Sequence, residues 1–178
     1  MAVVTAAGPQ AVAQEAAEAP ARPGIARFEG SEIDLRAGWG NAQACLVARR
    51  AGVVECFRSS AAMEARERQV AANRGAPRTD TMAAASSGWW CESPLRLYEH
   101  GFYGGRQLSF WDPGFWQNLG DWGFNDQVSS FRIGSCHAYL AEHSWGGGAW
   151  YPGYTGPYVS SPTMSSGWND RISSIYNG

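Results

Sequence analysis

A six-residue phrase, Asn-Asp-x-aliphatic-Ser-Ser, occurs twice in the C-terminal half of this 178-residue chain, as NDQVSS at Asn125–Ser130 and NDRISS at Asn169–Ser174. The two starts lie 44 residues apart. A period in the 40s marks two copies of one supersecondary unit, which must bury their faces against each other. The copies extend upstream. Leu97-Tyr98-Glu99-His100 leads to Tyr103-Gly104-Gly105, and Tyr139-Leu140-Ala141-Glu142 leads to Trp145-Gly146-Gly147. Setting Gly105 against Gly147 places Leu140 opposite Tyr98 and Ala141 opposite Glu99. Gly123-Phe124 precedes the first phrase as Gly167-Trp168 precedes the second. Each copy therefore reads as strand, aromatic–glycine turn, strand, loop, phrase, strand. Glycine supplies the positive φ that such a turn needs. Alternation along the closing strand sends Val128 and Ile172 inward and Ser129 and Ser173 outward.

The rest of the chain divides by composition. Residues 1–13 are small and apolar and end in Ala-Val-Ala, a signal-peptidase type of site without a basic leader. They read as part of a secretory signal whose start lies upstream. Residues 14–24 form a flexible Ala/Glu/Pro tether. Residues 25–73 read as a small α+β unit. In it, Ala44–Ala48 and Val53–Phe57 form a hairpin, and a helix capped by Ser59 or Ser60 follows. Residues 74–88 are a linker. From Trp89 to Gly178, short apolar runs broken by Gly, Pro, Asn and Asp read as an all-β sandwich domain. Its expected strands are Leu95–Glu99, Gln107–Phe110, Ser129–Ile133, His137–Glu142 and Ile172–Tyr176. The four cysteines, Cys45, Cys56, Cys91 and Cys136, suit disulfides in an oxidising compartment. Local bridges Cys45–Cys56 and Cys91–Cys136 fit the spacing, although three pairings are open.

Tyr98-x4-Tyr103-x-Gly105 with Asn125-Asp126-x-x-Ser129-Ser130 resembles a βγ-crystallin Greek-key motif of the calcium-binding microbial kind. Leu140-x4-Trp145-x-Gly147 with Asn169-Asp170-x-x-Ser173-Ser174 resembles its partner. The resemblance implies two Greek keys packed as one sandwich in residues 89–178. It also implies two calcium sites at one end, where each phrase meets the hairpin of the other copy. The implied ligands are side chains of Asn125, Asp126, Asn169 and Asp170, hydroxyls of Ser129 and Ser173, and carbonyls of Gln127, Arg171, Glu99 and Ala141. The Arg171 side chain is then expected to point away from the ion. One carboxylate per loop sets a weak extracellular class of site, with Kd on the order of 10⁻⁴–10⁻³ M. Calcium at about 100 Kd adds roughly 2.7 kcal/mol of stability per site.

The same resemblance overlaps crystallin-like bacterial metalloproteinase inhibitors, with which secreted proteins carrying a run like that at Leu97–Arg106 are grouped. The stretch Ala149–Pro162 would serve such a role as a rigid loop facing an extracellular protease. A third reading is a carbohydrate or cell-wall glycan module, with Trp111, Trp116, Trp145, Trp150, Tyr151 and Tyr154 as stacking platforms, set against a core role for the same aromatics. Catalysis is not expected. His100, His137 and His143 have no nucleophile tied to them by a motif, and Cys136 and His137, as strand neighbours, face opposite ways. A net charge of −2 argues against nucleic acid. No apolar run reaches the roughly 20 residues of a membrane span. The sequence therefore points to a secreted, monomeric, calcium-binding protein that is not an enzyme.

Overall fold

A computed structural model describes residues 22–75 and 91–178. The signal-like segment, most of the tether and most of the linker lie outside the described residues. Among the described residues there are eleven strands and one α-helix. The N-terminal part holds β1 (Ile25–Phe28), β2 (Ser31–Asp34), β3 (Ala44–Ala48), β4 (Val53–Phe57) and α1 (Ser60–Gly75). The first copy holds β5 (Leu95–His100), β6 (Gly104–Phe110), β7 (Phe115–Asn118) and β8 (Ser130–Arg132). The second holds β9 (Ala138–Ala141), β10 (Ser160–Ser161) and β11 (Ser174–Asn177). Where the sequence predicts strands His137–Glu142 and Ile172–Tyr176, the ladders are shorter and begin at Ala138 and Ser174.

Two sheets result. The larger runs β10-β8-β5-β6-β3-β4-β1-β2 and the smaller β7-β11-β9. Each copy lends one strand to the sheet of the other. β7 of the first copy pairs with β11, and β10 of the second pairs with β8. The inner faces of the two sheets share one core. It includes Leu95, Leu97, Leu108, Phe110 and Phe131 from one sheet and Leu140 and Ile175 from the other. Each such fully buried side chain contributes roughly 1.5–3 kcal/mol. Val128 and Ile172, beside the twin phrases, are fully buried in that core.

The strands of residues 25–73 do not form a sheet of their own. β3 pairs in parallel with β6, from Ala44↔Gln107 to Val47↔Phe110, and so joins the N-terminal strands to the sheet of the first copy. The physical reason lies in β3 itself. ACLVA is apolar throughout and buried at every position, the pattern of a central strand covered on both faces. Asp112, just after β6, is fully buried. Its carboxylate accepts from the backbone N–H groups of Arg49, at 2.7 Å, and Arg50, at 3.3 Å, and so fixes the turn after β3.

Helix α1 starts where Ser59 caps it. The Ser59 hydroxyl accepts from Ala62 N–H at 3.3 Å, satisfying one of the orphan donors of the first turn. Met63 and Val70 are buried against Ala44, Leu46, Ala48 and Trp111, on the outer face of the larger sheet. Glu67 lies between them in sequence, also buried, and pairs with Arg96 at 2.5 Å while accepting from the Ser109 hydroxyl.

Both expected disulfides form. Cys45 and Cys56 face each other across β3 and β4 with Cα atoms 4.1 Å apart. Cys91 and Cys136 bridge the start of the first copy to the start of the second, with Cα atoms 5.5 Å apart. Cys136 is thereby removed as a nucleophile beside His137.

Candidate metal centre

The two Asn-Asp-x-x-Ser-Ser phrases cross each other about a local two-fold. Asp126 N–H donates to Ile172 O at 3.0 Å, and Asp170 N–H donates to Val128 O at 3.1 Å. Both aspartates sit at positive φ, 53° and 54°, a conformation that Asp adopts more readily than most residues. The preceding Asn amide holds each carboxylate. Asn125 Nδ2 donates to Asp126 Oδ2, and Asn169 Nδ2 to Asp170 Oδ2, both at 2.7 Å. The remaining carboxylate oxygen looks across to the other copy. Ser129 Oγ lies 3.2 Å from Asp170 Oδ1, and Ser173 Oγ lies 3.0 Å from Asp126 Oδ1.

The second serine of each phrase has a different task. Ser130 is fully buried. Its hydroxyl donates to His100 O at 2.6 Å and accepts from Tyr103 N–H at 3.1 Å. Ser174 repeats this with His143 O at 2.6 Å and Gly146 N–H at 3.0 Å. One hydroxyl therefore pins each phrase to the hairpin of its own copy. The neighbouring backbone does the same, since Ser129 N–H donates to Tyr98 O and Ser173 N–H to Ala141 O.

These contacts correct the alignment of the copies. Tyr98 corresponds to Ala141 and Glu99 to Glu142, so Ala141 is not the counterpart of Glu99. The hairpin offset is 43 residues. His100 matches His143, and the left-handed Phe102, φ 55°, matches Trp145, φ 57°. Gly105, φ 72°, matches Gly148, φ 71°, whereas Gly147 is extended with φ −74°. Ala141 O already accepts a strand hydrogen bond. The carbonyl equivalent to that of Glu99 belongs to Glu142, which the sequence reading passed over. The expected division of labour also changes. The hydroxyl beside each hairpin comes from its own copy, and the carboxylate comes from the other.

A cleft of about 530 Å³ opens beside the first hairpin, lined by Glu99, His100, Gly101, Asp126, Gln127, Ser129, Asn169 and Asp170. Six of the ten residues singled out as ligands in the sequence line this one cleft. Asn125, Arg171 and Ser173 belong to the symmetry-related side, with Ala141 on the strand beneath Ser173. Charge is arranged differently on the two sides. In the first copy Glu99 is held by Arg106 at 2.8 Å, and Arg106 also donates to the Gln127 side-chain oxygen. That pairing draws the Glu99 carboxyl down to a pKa of about 2, through the Arg106 hydrogen bonds first of all. In the second copy Arg171 takes over this role, pairing with Glu142 at 2.6 Å and stacking 5.1 Å from the Trp168 ring centroid. Its guanidinium therefore turns to Glu142.

Oxygen-only groups of this kind suit a hard cation, which takes carboxylate, hydroxyl, amide and carbonyl oxygens at 2.3–2.6 Å. The Ser129 hydroxyl donates to Asp170 and the Ser173 hydroxyl to Asp126, which keeps one hydroxyl and one carboxylate oxygen side by side on each side of the crossing. The carboxylates are few. Among the described residues no three His, Cys, Asp or Glu side chains gather into a metal cluster. A cation here depends on hydroxyls, amides and backbone carbonyls.

Gly123 ties this end of the molecule to the N-terminal strands. A Cβ there would stand 2.0 Å from Leu35 O. Trp39 Nε1 donates to Trp122 O at 2.8 Å, and Arg106 lies 5.1 Å from the Trp39 ring centroid.

No protein-family model matches the chain, and no curated protein does. Among solved structures it is similar to a βγ-crystallin from Ciona intestinalis. That match has 24% identity and a TM-score of 0.41, covering 48% of this chain and all of the other. It is also similar to βγ-crystallin domains from two bacteria. For Clostridium beijerinckii the identity is 22% and the TM-score 0.40, over 48% of this chain and 97% of that one. For Flavobacterium johnsoniae the figures are 27% and 0.37, over 47% and 92%.

Proposed function

We propose that this chain is a secreted calcium-binding protein whose paired Greek-key half takes two calcium ions at the crossed phrases. The observation that carries the proposal is the reciprocal placement of Ser129 with Asp170 and of Ser173 with Asp126, 3.2 and 3.0 Å apart. An ion beside Glu99 would be held by the Ser129 hydroxyl, the Asp170 carboxylate and carbonyls of Glu99 and Gln127. Its twin would be held by Ser173, Asp126 and carbonyls of Glu142 and Arg171. A bound cation supplies charge neutralisation between loops of different copies. This chain's own residues set the loop geometry through Asn125, Asn169, Ser130 and Ser174. Affinity remains in the weak class because few carboxylates converge. The role is stabilisation by mass action rather than signalling at low calcium. Two disulfides favour an oxidising, extracellular setting. Among the described residues no helix is long and apolar enough to cross a membrane.

Calorimetric titration of the full chain with calcium tests this. Two equivalents are expected, with a rise in Tm at millimolar calcium. Asp170→Ala and Asp126→Ala should each remove about one equivalent, while Glu99→Gln, which alters only the side chain, should keep both. No heat and an unmoved Tm at millimolar calcium would overturn the proposal.

A further inference from the structure

The outer faces of the two sheets are treated differently. Helix α1 packs on that of the larger sheet. The smaller sheet carries no α-helix among the described residues, and one rank of its outward positions is aromatic where solvent-facing strand positions are ordinarily polar. Trp116, Tyr176 and Tyr139 stand directly opposite one another across β7, β11 and β9. Trp116 and Tyr176 have centroids 5.7 Å apart, and Tyr176 and Tyr139 lie 6.0 Å apart. Trp150 packs across the row, 5.6 Å from Trp116 and 5.1 Å from Tyr139. Its indole N–H donates to Gly146 O at 2.8 Å, which fixes the plane of the ring. Trp150 is 51% exposed, Tyr139 41% and Tyr154, farther along, 78%. A core role therefore does not account for them, although it does account for Trp111, which is buried under α1.

Beside this row lies a cleft of about 400 Å³ whose lining includes His137, Tyr139, Trp150, Tyr154 and Thr155 and no Asp, Glu, Lys or Arg among the described residues. The volume is that of a small-ligand site. A two-fold dimer needs a self-complementary patch, and a concave cleft is a poor one. The chemistry on offer is aromatic faces with phenol and hydroxyl groups beside them and no formal charge from acid, lysine or arginine. A ring that presents C–H groups on its faces and hydroxyls on its edges matches both. The negative face of an aromatic attracts the partly positive C–H groups, Tyr hydroxyls both donate and accept, and the Thr155 hydroxyl, which donates to Ala138 O at 2.6 Å, can still accept. An uncharged lining selects against anionic chains. A pyranose with equatorial substituents presents axial C–H groups on both flat faces, and a β-1,4-linked chain of such sugars is extended enough to follow a row. We propose that the outer face of the smaller sheet, centred on Trp150 and Tyr139, binds an uncharged β-1,4-linked glycan. The site is separate from the crossed phrases and does not rest on calcium binding.

The test is depletion of the full chain onto insoluble cellulose and chitin, with titration by cellohexaose and chitohexaose followed by tryptophan fluorescence. Both are run in calcium and in EDTA. Binding to at least one polymer and its hexamer is expected. Trp150→Ala and Tyr154→Ala should each weaken it at least tenfold, the second without moving Tm. Tyr154 is exposed enough that its variant remains informative if Trp150→Ala fails to fold. No depletion and no fluorescence change up to millimolar hexamer would overturn the proposal, as would equal binding by both variants. So would self-association of the chain that Tyr154→Ala abolishes, because the face would then belong to a second copy.

Discussion

Glu99 lies beside the candidate ion but is claimed first by Arg106. Two guanidinium hydrogen bonds and the Arg106 backbone N–H, the last at 3.0 Å, converge on its carboxylate. They stabilise the charged form, which is why the pKa falls to about 2. A carboxyl with a depressed folded-state pKa contributes stability that is fully present above its unfolded value. For a glutamate that value is near 4.5, and the contribution is lost as pH falls from there toward 2. Glu99→Gln should therefore lower stability at pH 7 by on the order of 1 kcal/mol. The difference from wild type should vanish near pH 2. Thermal melts of both proteins from pH 2 to 7 measure it, and a constant difference across that range would refute the assignment. The same carboxylate is thereby excluded as a good side-chain ligand, which leaves its backbone carbonyl for that role. The twin phrases were legible as a repeated structural unit because every defined residue in them has a distinct task. The Asn amide holds the Asp, the Asp adopts positive φ, the first Ser faces the other copy and the second Ser locks the hairpin. The Arg106 pairing was not legible, because it joins residues that only the fold of the hairpin brings together.

At the scale of the hairpins, the one-residue error in alignment has a physical source. Gly146–Gly148 is a run of three glycines, and such a run carries no side chain to mark register. Only the backbone distinguishes them, since Gly148 is left-handed like Gly105 while Gly147 is not. The spacing from hairpin to phrase then differs by one residue between copies, a change that a loop absorbs at little cost. The two disulfides tie different loops. Closing the 11-residue separation of Cys45–Cys56 removes roughly 3 kcal/mol of unfolded-state entropy, and the 45-residue separation of Cys91–Cys136 roughly 4 kcal/mol. Replacing both cysteines of a pair by alanine should thus cost more for Cys91–Cys136. Urea denaturation midpoints of the two double variants check the order. The strands at β5, β6 and β8 were readable from alternation. β7 and β10 were not, since Phe115–Asn118 and Ser160–Ser161 are short and take their pairing from the opposite copy.

Across the whole molecule, the N-terminal strands and the first copy form one continuous sheet, and the bond between them is the parallel pairing of β3 with β6. Such a pairing links residues about sixty positions apart, so local sequence windows show two units where the fold makes one. The full chain should accordingly melt in one cooperative calorimetric transition. A chain beginning at Cys91 should associate or precipitate, because β6 becomes an unpaired edge and Gly123 loses the Leu35 backbone packed on it. Two separate transitions in the full chain would show instead that the halves fold independently. The crossed serine–aspartate contacts bear on ancestry as well. Ser129 meets Asp170 and Ser173 meets Asp126, so one unit alone supplies a hydroxyl for one place and a carboxylate for another, and completes neither. A forebear with a single unit would have met this need as two identical subunits embracing about the same axis. Joining the two genes would then have preserved an existing partnership, after which each half was free to diverge, as Gln127 and Arg171 have.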